Sequence, residues 1–369
     1  MKFSTRWTGI MIAIFLSAIV AGGLLATISS RAANSRTPSP DAARPARTFE
    51  FTYKVLAPAI PAPHGALQIW IPLPSSDRWQ TISDLKIESP VGYQVKKEER
   101  FGNQMAYINV DAQHASAPFE INVHFVAIRS EHRVDLVAAK PASDALSARD
   151  EAVLRFLQPD RLVPIDGTIG DLSKEQTAGA NTPLEKARKI YEYVVATMRY
   201  DKSGTGWGHG DAIWACTAKR GNCTDFHSLF DGMARAAGIP ARFEIGFPLP
   251  DDKSQGDIPG YHCWTEFYIE NIGWIPIDAS EAWKHPEKHD YFFGANDINR
   301  VQFSMGRDLR LNPPQQSDPL NYFVYPYAEL DGKPFDQLQP HFSFRDVPPA
   351  AARPATAGDE REATRTPTR

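Results

Sequence analysis

Six apolar residues, Phe226, Leu229, Phe230, Met233, Ala234 and Ala237, recur at offsets of 3, 4, 7, 8 and 11 from the first. That spacing lays them on one face of an α-helix and fits no strand. The run also has a start and a stop. Asn222 is a favoured N-cap residue, and Gly238 followed by Ile239-Pro240 ends the helix. Cys223 therefore falls in the first turn, where unpaired backbone N–H groups and the positive end of the helix dipole favour thiolate over thiol. The amide of Cys223 itself is placed to donate to an oxyanion forming on an attacked carbonyl.

After this helix the chain reads as antiparallel sheet. Residues 241–247 alternate and enter through the Gly-Ile-Pro turn. Residues 261–269 form a second strand, with His262, Trp264, Glu266 and Tyr268 on one face and Cys263, Thr265, Phe267 and Ile269 on the other. Asn271-Ile272-Gly273 turns the chain, and residues 274–278 return, so a hairpin lays Asp278 beside His262. One thiol, one imidazole and one carboxylate so arranged suit acyl transfer. The carboxylate orients the imidazole; the imidazole holds the thiolate and later protonates the leaving group.

The runs Gly221-Asn222-Cys223-Thr224-Asp225, Ala237-Gly238-Ile239-Pro240-Ala241-Arg242, Tyr261-His262-Cys263-Trp264-Thr265-Glu266 and Gly273-Trp274-Ile275-Pro276-Ile277-Asp278-Ala279-Ser280 resemble the core of the transglutaminase-like superfamily. The helical stretch 183–198 with Arg199-Tyr200-Asp201 resembles the helix and loop preceding that core. The similarity covers roughly residues 183–280. It implies an α+β fold with a papain-like core, one cysteine-bearing helix packed on an antiparallel sheet. It also implies a catalytic Cys223, His262 and Asp278 in the family's order, with no cofactor.

Other residues read as structural. Asp225 is expected to serve the helix start, where the dipole favours a carboxylate. His209, His227 and His285 have no ligand-like spacing to one another or to the cysteines, so no metal site is expected. The glycine-rich loop 203–211 lacks the Lys-Ser/Thr ending of a phosphate loop and is read as a wall of the cleft, with Trp207 and Trp214 beside it. Cys216, Cys223 and Cys263 admit a Cys216–Cys263 bridge, an inhibitory bridge through Cys223, or none; the reading taken is three free thiols.

The remaining chain bounds the context. A net charge of -4 argues against nucleic acid. Lys2 and Arg6 precede an uncharged run over residues 7–30, read as a signal peptide or retained signal anchor that places the rest outside the cytoplasm, periplasmic or otherwise extracytoplasmic. The expected order continues with a flexible linker (31–47), a small β-sandwich (48–137), a connecting region (138–181), the catalytic core (182–285), an extension packed on the core (286–347) and a disordered tail (348–369). The expected function is an exported cysteine enzyme working through a thioester on protein or peptide in the cell envelope, as peptidase or amidase or as protein-glutamine transglutaminase. The alternative is a catalytically silent scaffold or binding module.

Overall fold

The structure is a computed structural model that describes residues 44–62, 65–138 and 151–348. The expected export segment and the expected linker as far as residue 43, residues 139–150 of the connecting region and the expected tail from residue 349 lie outside the described residues. Among the described residues no helix is long and apolar enough to cross a membrane.

Strand Ala46–Ala57 alternates as expected and buries Phe49, Phe51, Tyr53 and Val55 on one face. It pairs antiparallel with Phe119–Ser130 on one side and with Gln339–Asp346 on the other. Gln80–Glu88 and Gln255–Asp257 complete this five-stranded sheet at its two edges. A second five-stranded sheet runs Lys333–Pro334, Tyr327–Leu330, Leu67–Leu73, Gln104–Val110, Tyr93–Lys97. The inner faces of both contribute to one apolar core, which also takes in Phe243, Ile245, Phe247, Val301 and Phe303 from the third sheet.

The sequence reading laid residues 286–347 on the catalytic core. The structure divides that segment. Arg300–Met305 joins the catalytic sheet, whereas Tyr327–Leu330 and Gln339–Asp346 return to the sheets begun by the N-terminal strands. The alternation of Phe342 and Phe344, buried between more exposed neighbours, explains the return. Those rings need an apolar sheet face, and Phe342 finds Tyr53 at 4.6 Å and Phe247 at 4.2 Å between centroids.

The third sheet has the order Gly273–Ile277, His262–Ile269, Ala241–Pro248, Arg300–Met305, all antiparallel. Helix Cys223–Ala236 packs on it through Phe226, Leu229, Phe230 and Met233 against Phe267, Ile275 and Ile277. Helix Pro183–Thr197, begun by a Thr182–Glu185 capping box with proline at its first position, buries Ala187, Ile190, Tyr191 and Val194 in the same cluster.

The cysteine helix departs from the one-faced pattern in an informative way, because it is buried all round from Cys223 to Arg235. Its polar side chains therefore need internal partners. Arg235 reaches Asp160 at 2.6 Å, and Ser228 accepts from Arg307 at 2.5 Å. The fully buried Asp231 carboxylate has Arg235 and Thr265 beside it. Burial, only partly opposed by the Arg235 charge, pushes this carboxyl up to about 7.

A folded-state pKa above the unfolded value contributes stability that is complete below the ordinary carboxylate range and is lost as pH rises through about 7. The slope is about 1.4 kcal/mol per pH unit in between. Asp231→Asn should remove this dependence. Urea midpoints at pH 5 and 8 are expected to show the wild type losing stability relative to the variant at the higher pH; parallel behaviour would mean that Asp231 is ionised at both.

Candidate active site

The helix start that carries Cys223 is built by two reciprocal side chains. Asn222 Oδ1 accepts from the Thr224 N–H at 3.0 Å, and Asp225 Oδ2 accepts from the Asn222 N–H at 2.9 Å. These bonds leave the Cys223 N–H outside the cap, free for the oxyanion role that its position suggests. Gly221, at φ 148°, lets the chain pass over Asp225; a Cβ there would lie 2.2 Å from Asp225 Oδ2.

Asp225 also accepts from the N–H groups of Gly208 (2.7 Å) and Gly210 (3.0 Å), so it holds the glycine-rich loop onto the helix. The loop carbonyls are taken from the other side. Arg307 donates to Gly210 O at 2.8 Å and His209 O at 3.0 Å, and the Tyr322 hydroxyl donates to Gly208 O at 3.2 Å. A loop with its amides and carbonyls so engaged is a wall rather than a phosphate cradle. Trp207 donates its indole N–H within the same loop, to Gly204 O at 3.1 Å.

The expected hairpin forms and pairs Thr265 with Ile277 and Ile269 with Gly273, so Asp278 follows the last paired residue. It brings His262 Nε2 to 2.7 Å from Asp278 Oδ2. That commits one ring nitrogen and leaves Nδ1 for Cys223, with which His262 also interacts. Cys223 is 1% exposed and His262 5%. Burial alone would raise the Cys223 thiol, but hydrogen bonding from Cys263 and His262 and the positive charge of His262 bring it well below its ordinary value. Burial would likewise lower His262, yet the charge and hydrogen bond of Asp278 and the contact with Cys223 raise it to about 10. Both shifts favour the thiolate–imidazolium form of the pair.

Three further groups around this centre were not legible as such. Arg300 donates to Asp278 Oδ2 at 3.1 Å and to Asn296 Oδ1 at 3.2 Å, and lies over the Trp264 ring at 4.9 Å. Against the burial that would raise it, the charges of His262 and Arg300 keep the Asp278 carboxyl low. Cys263 Sγ lies 3.5 Å from His227 Nδ1, and His227 Nε2 accepts from the Ala279 N–H at 3.2 Å. All three cysteines are free. Arg300 belongs to a strand some twenty residues beyond the last motif, where no spacing rule points back to the site; the alternation that turned Cys263 away from His262 did point it toward the helix.

Residues 170–279 match the family model of the transglutaminase-like superfamily, spanning the helix, the hairpin and the three selected residues. The chain carries a transglutaminase-like core. An uncharacterized protein of Haemophilus influenzae is 28% identical to it over 364 residues, covering 87% of this chain and 96% of its own. A solved structure from Cytophaga hutchinsonii, described as a candidate cysteine protease, has a TM-score of 0.56 at 16% identity over 82% of this chain and 92% of that one. The shared fold therefore reaches well past the transglutaminase-like core. The periplasmic domain of TgpA from Pseudomonas aeruginosa matches 66% of this chain and 90% of its own at 15% identity, with a TM-score of 0.32.

The site electrostatics predict a labelling pattern. Iodoacetamide should modify Cys223 readily at neutral pH and with little further gain as pH rises, since its thiol is held well below its ordinary value. Cys216 and Cys263, whose thiols burial pushes up, should react only as pH rises. Mass-spectrometric mapping of the three sites checks this, and equal labelling at neutral pH contradicts it.

Proposed function

We propose that this transglutaminase-like protein is an exported cysteine enzyme that acylates Cys223 from a peptide or carboxamide carbonyl. The observation that carries the reading is the convergence of a thiol at the start of a buried helix with an imidazole held at 2.7 Å by a buried carboxylate. Cys223 Sγ attacks the carbonyl carbon, a C–S bond forms, and the π electrons move to the oxygen, which faces the Cys223 amide. Collapse of that intermediate breaks the C–N bond, and His262 gives its proton to the departing amine. Water or a lysine-type amine then attacks the thioester; His262 takes the proton and the thiolate is released. Asp278 keeps its charge throughout and fixes the imidazole.

Water gives a peptidase or amidase and an amine gives a transglutaminase. Ammonia or peptide release in the absence of amine, set against incorporation of a labelled primary amine, separates them. A protein in which Cys223 never acylates would be a scaffold.

Cys223→Ala should abolish turnover with the fold retained. His262→Ala should cost about 10²–10⁴-fold in kcat. Asp278→Asn should cost less and leave KM nearly unchanged, and the double variant should be little worse than His262→Ala alone, because residues acting as one unit are not additive. Losses that multiply would show that Asp278 does not act through His262.

Export is proposed from Lys2, Arg6 and the uncharged run that follows them. Cell fractionation with N-terminal sequencing should find the chain in an extracytoplasmic or membrane fraction. A cytoplasmic, full-length soluble product would reject it.

A further inference from the structure

Beside the nucleophile lies a second thiol that the steps above do not use. Cys263 follows His262 in its strand and points to the opposite face, toward the cysteine helix. Its Sγ meets Nδ1 of His227 at 3.5 Å. His227 stands four residues beyond Cys223 on the same side of the same helix. Cys263 thus lies along two successive turns, in contact with His227 and packed in the same buried cluster as Cys223. His227 and Cys263 are both fully buried.

The direction of these contacts is set by a group with no choice of role. The Ala279 N–H can only donate, and it meets His227 Nε2 at 3.2 Å. That nitrogen must therefore carry the lone pair. Burial holds the ring neutral, its pKa lowered to about 4, so its single N–H is on Nδ1 and points at Cys263 Sγ. A sulfur that accepts there keeps its own hydrogen for its other neighbour, Cys223. Asp278 Oδ1, 3.5 Å from the same Nε2, does not reverse this, since it already accepts from the Ser280 hydroxyl and the Glu281 N–H, each at 3.0 Å.

We propose that Cys263 is a positioning residue for the nucleophile: its S–H donates to Cys223 Sγ, aimed by a relay that runs from the Ala279 N–H through His227. The inference rests on the reading of Cys223 as the reacting thiolate. When His262 surrenders its proton to a leaving amine, the sulfur loses its ionic partner; the Cys263 donor remains on the other side and keeps a place for the returning thiolate. No proton leaves Cys263 and no bond to it forms.

The test is the pH dependence of Cys223 alkylation by iodoacetamide in the full chain, with the Cys223 peptide quantified by mass spectrometry. The other titratable or charged groups near Cys223 are His262, Asp278 with Arg300 behind it, Asp225, and the hydroxyls of Tyr200, Tyr261, Tyr322 and Tyr325; all are unchanged in the variants. Cys263→Ala should raise the apparent Cys223 pKa by about one unit, tenfold in thiolate below it, and lower kcat with KM unaffected. Cys263→Ser supplies an O–H donor and should restore both. His227→Leu, which removes the aim but not the thiol, should shift the profile in the same direction as Cys263→Ala; if it does not fold, the alanine and serine variants decide alone. A folded Cys263→Ala with an unchanged profile, or a serine variant that shifts as far as alanine, overturns the relay while leaving the triad intact. A wild-type Cys223 that labels like an ordinary thiol removes the catalytic reading itself, and the relay with it.

Discussion

A carboxylate with no exposure survives only if its neighbours replace the water it has lost, and Asp278 is surrounded accordingly. Oδ2 takes a hydrogen bond from His262 and another from Arg300; Oδ1 takes the Ser280 hydroxyl and the Glu281 N–H. The same residue ends the hairpin, caps the short helix Ala279–Lys284 and orients the imidazole. Its three tasks are one task, because each fixes the position that the others require. Removing either cation leaves a buried charge short of a partner, which is costly wherever it occurs in a protein.

Behind Asp278 the site continues as a buried polar layer between the catalytic sheet and the N-terminal sheet. Trp264 donates to Glu244 at 2.7 Å and has guanidinium groups over its ring, Arg300 at 4.9 Å and Arg129 at 5.9 Å. Glu266 bonds Arg242 and lies 2.9 Å from His132, which stacks on Trp79 at 4.0 Å. Gln80 bonds both the N–H and the carbonyl of Gln302. The sheet containing Gln80 and Arg129 is thus part of what holds the histidine strand, although it contributes no reacting group.

Much of the centre was readable from local signals. The 3.6-residue period, the Asn222 cap and the Gly273 turn each act over a few residues, and together they placed Cys223, His262 and Asp278 in the positions where the structure brings them together. The reading of Asp225 as a partner of the helix start agrees with its bonds to Asn222, Gly208 and Gly210. What local signals do not carry is long-range pairing. Nothing near Arg300 marks it as a neighbour of Asp278, and the polar residues of the cysteine helix find their partners in Asp160 and Arg307, far away in sequence. The destination of the last strands was hidden for the same reason: alternation in residues 339–346 identifies a strand but not its partner.

That partner has a consequence for how the chain comes into being. Strand Ala46–Ala57, the first described element, is zipped along one edge by Gln339–Asp346, from Phe49 opposite Asp346 to Leu56 opposite Gln339. The whole catalytic core is threaded between the two. While the chain emerges from its N-terminus, the first sheet waits with an open hydrogen-bonding edge and an incomplete aromatic core, which closes only when nearly the last described residue has arrived. Such a long-range closure makes folding slow and leaves the early strands open to wrong pairing in the interval. The last described strand is thus the latch that closes the first sheet and its aromatic core.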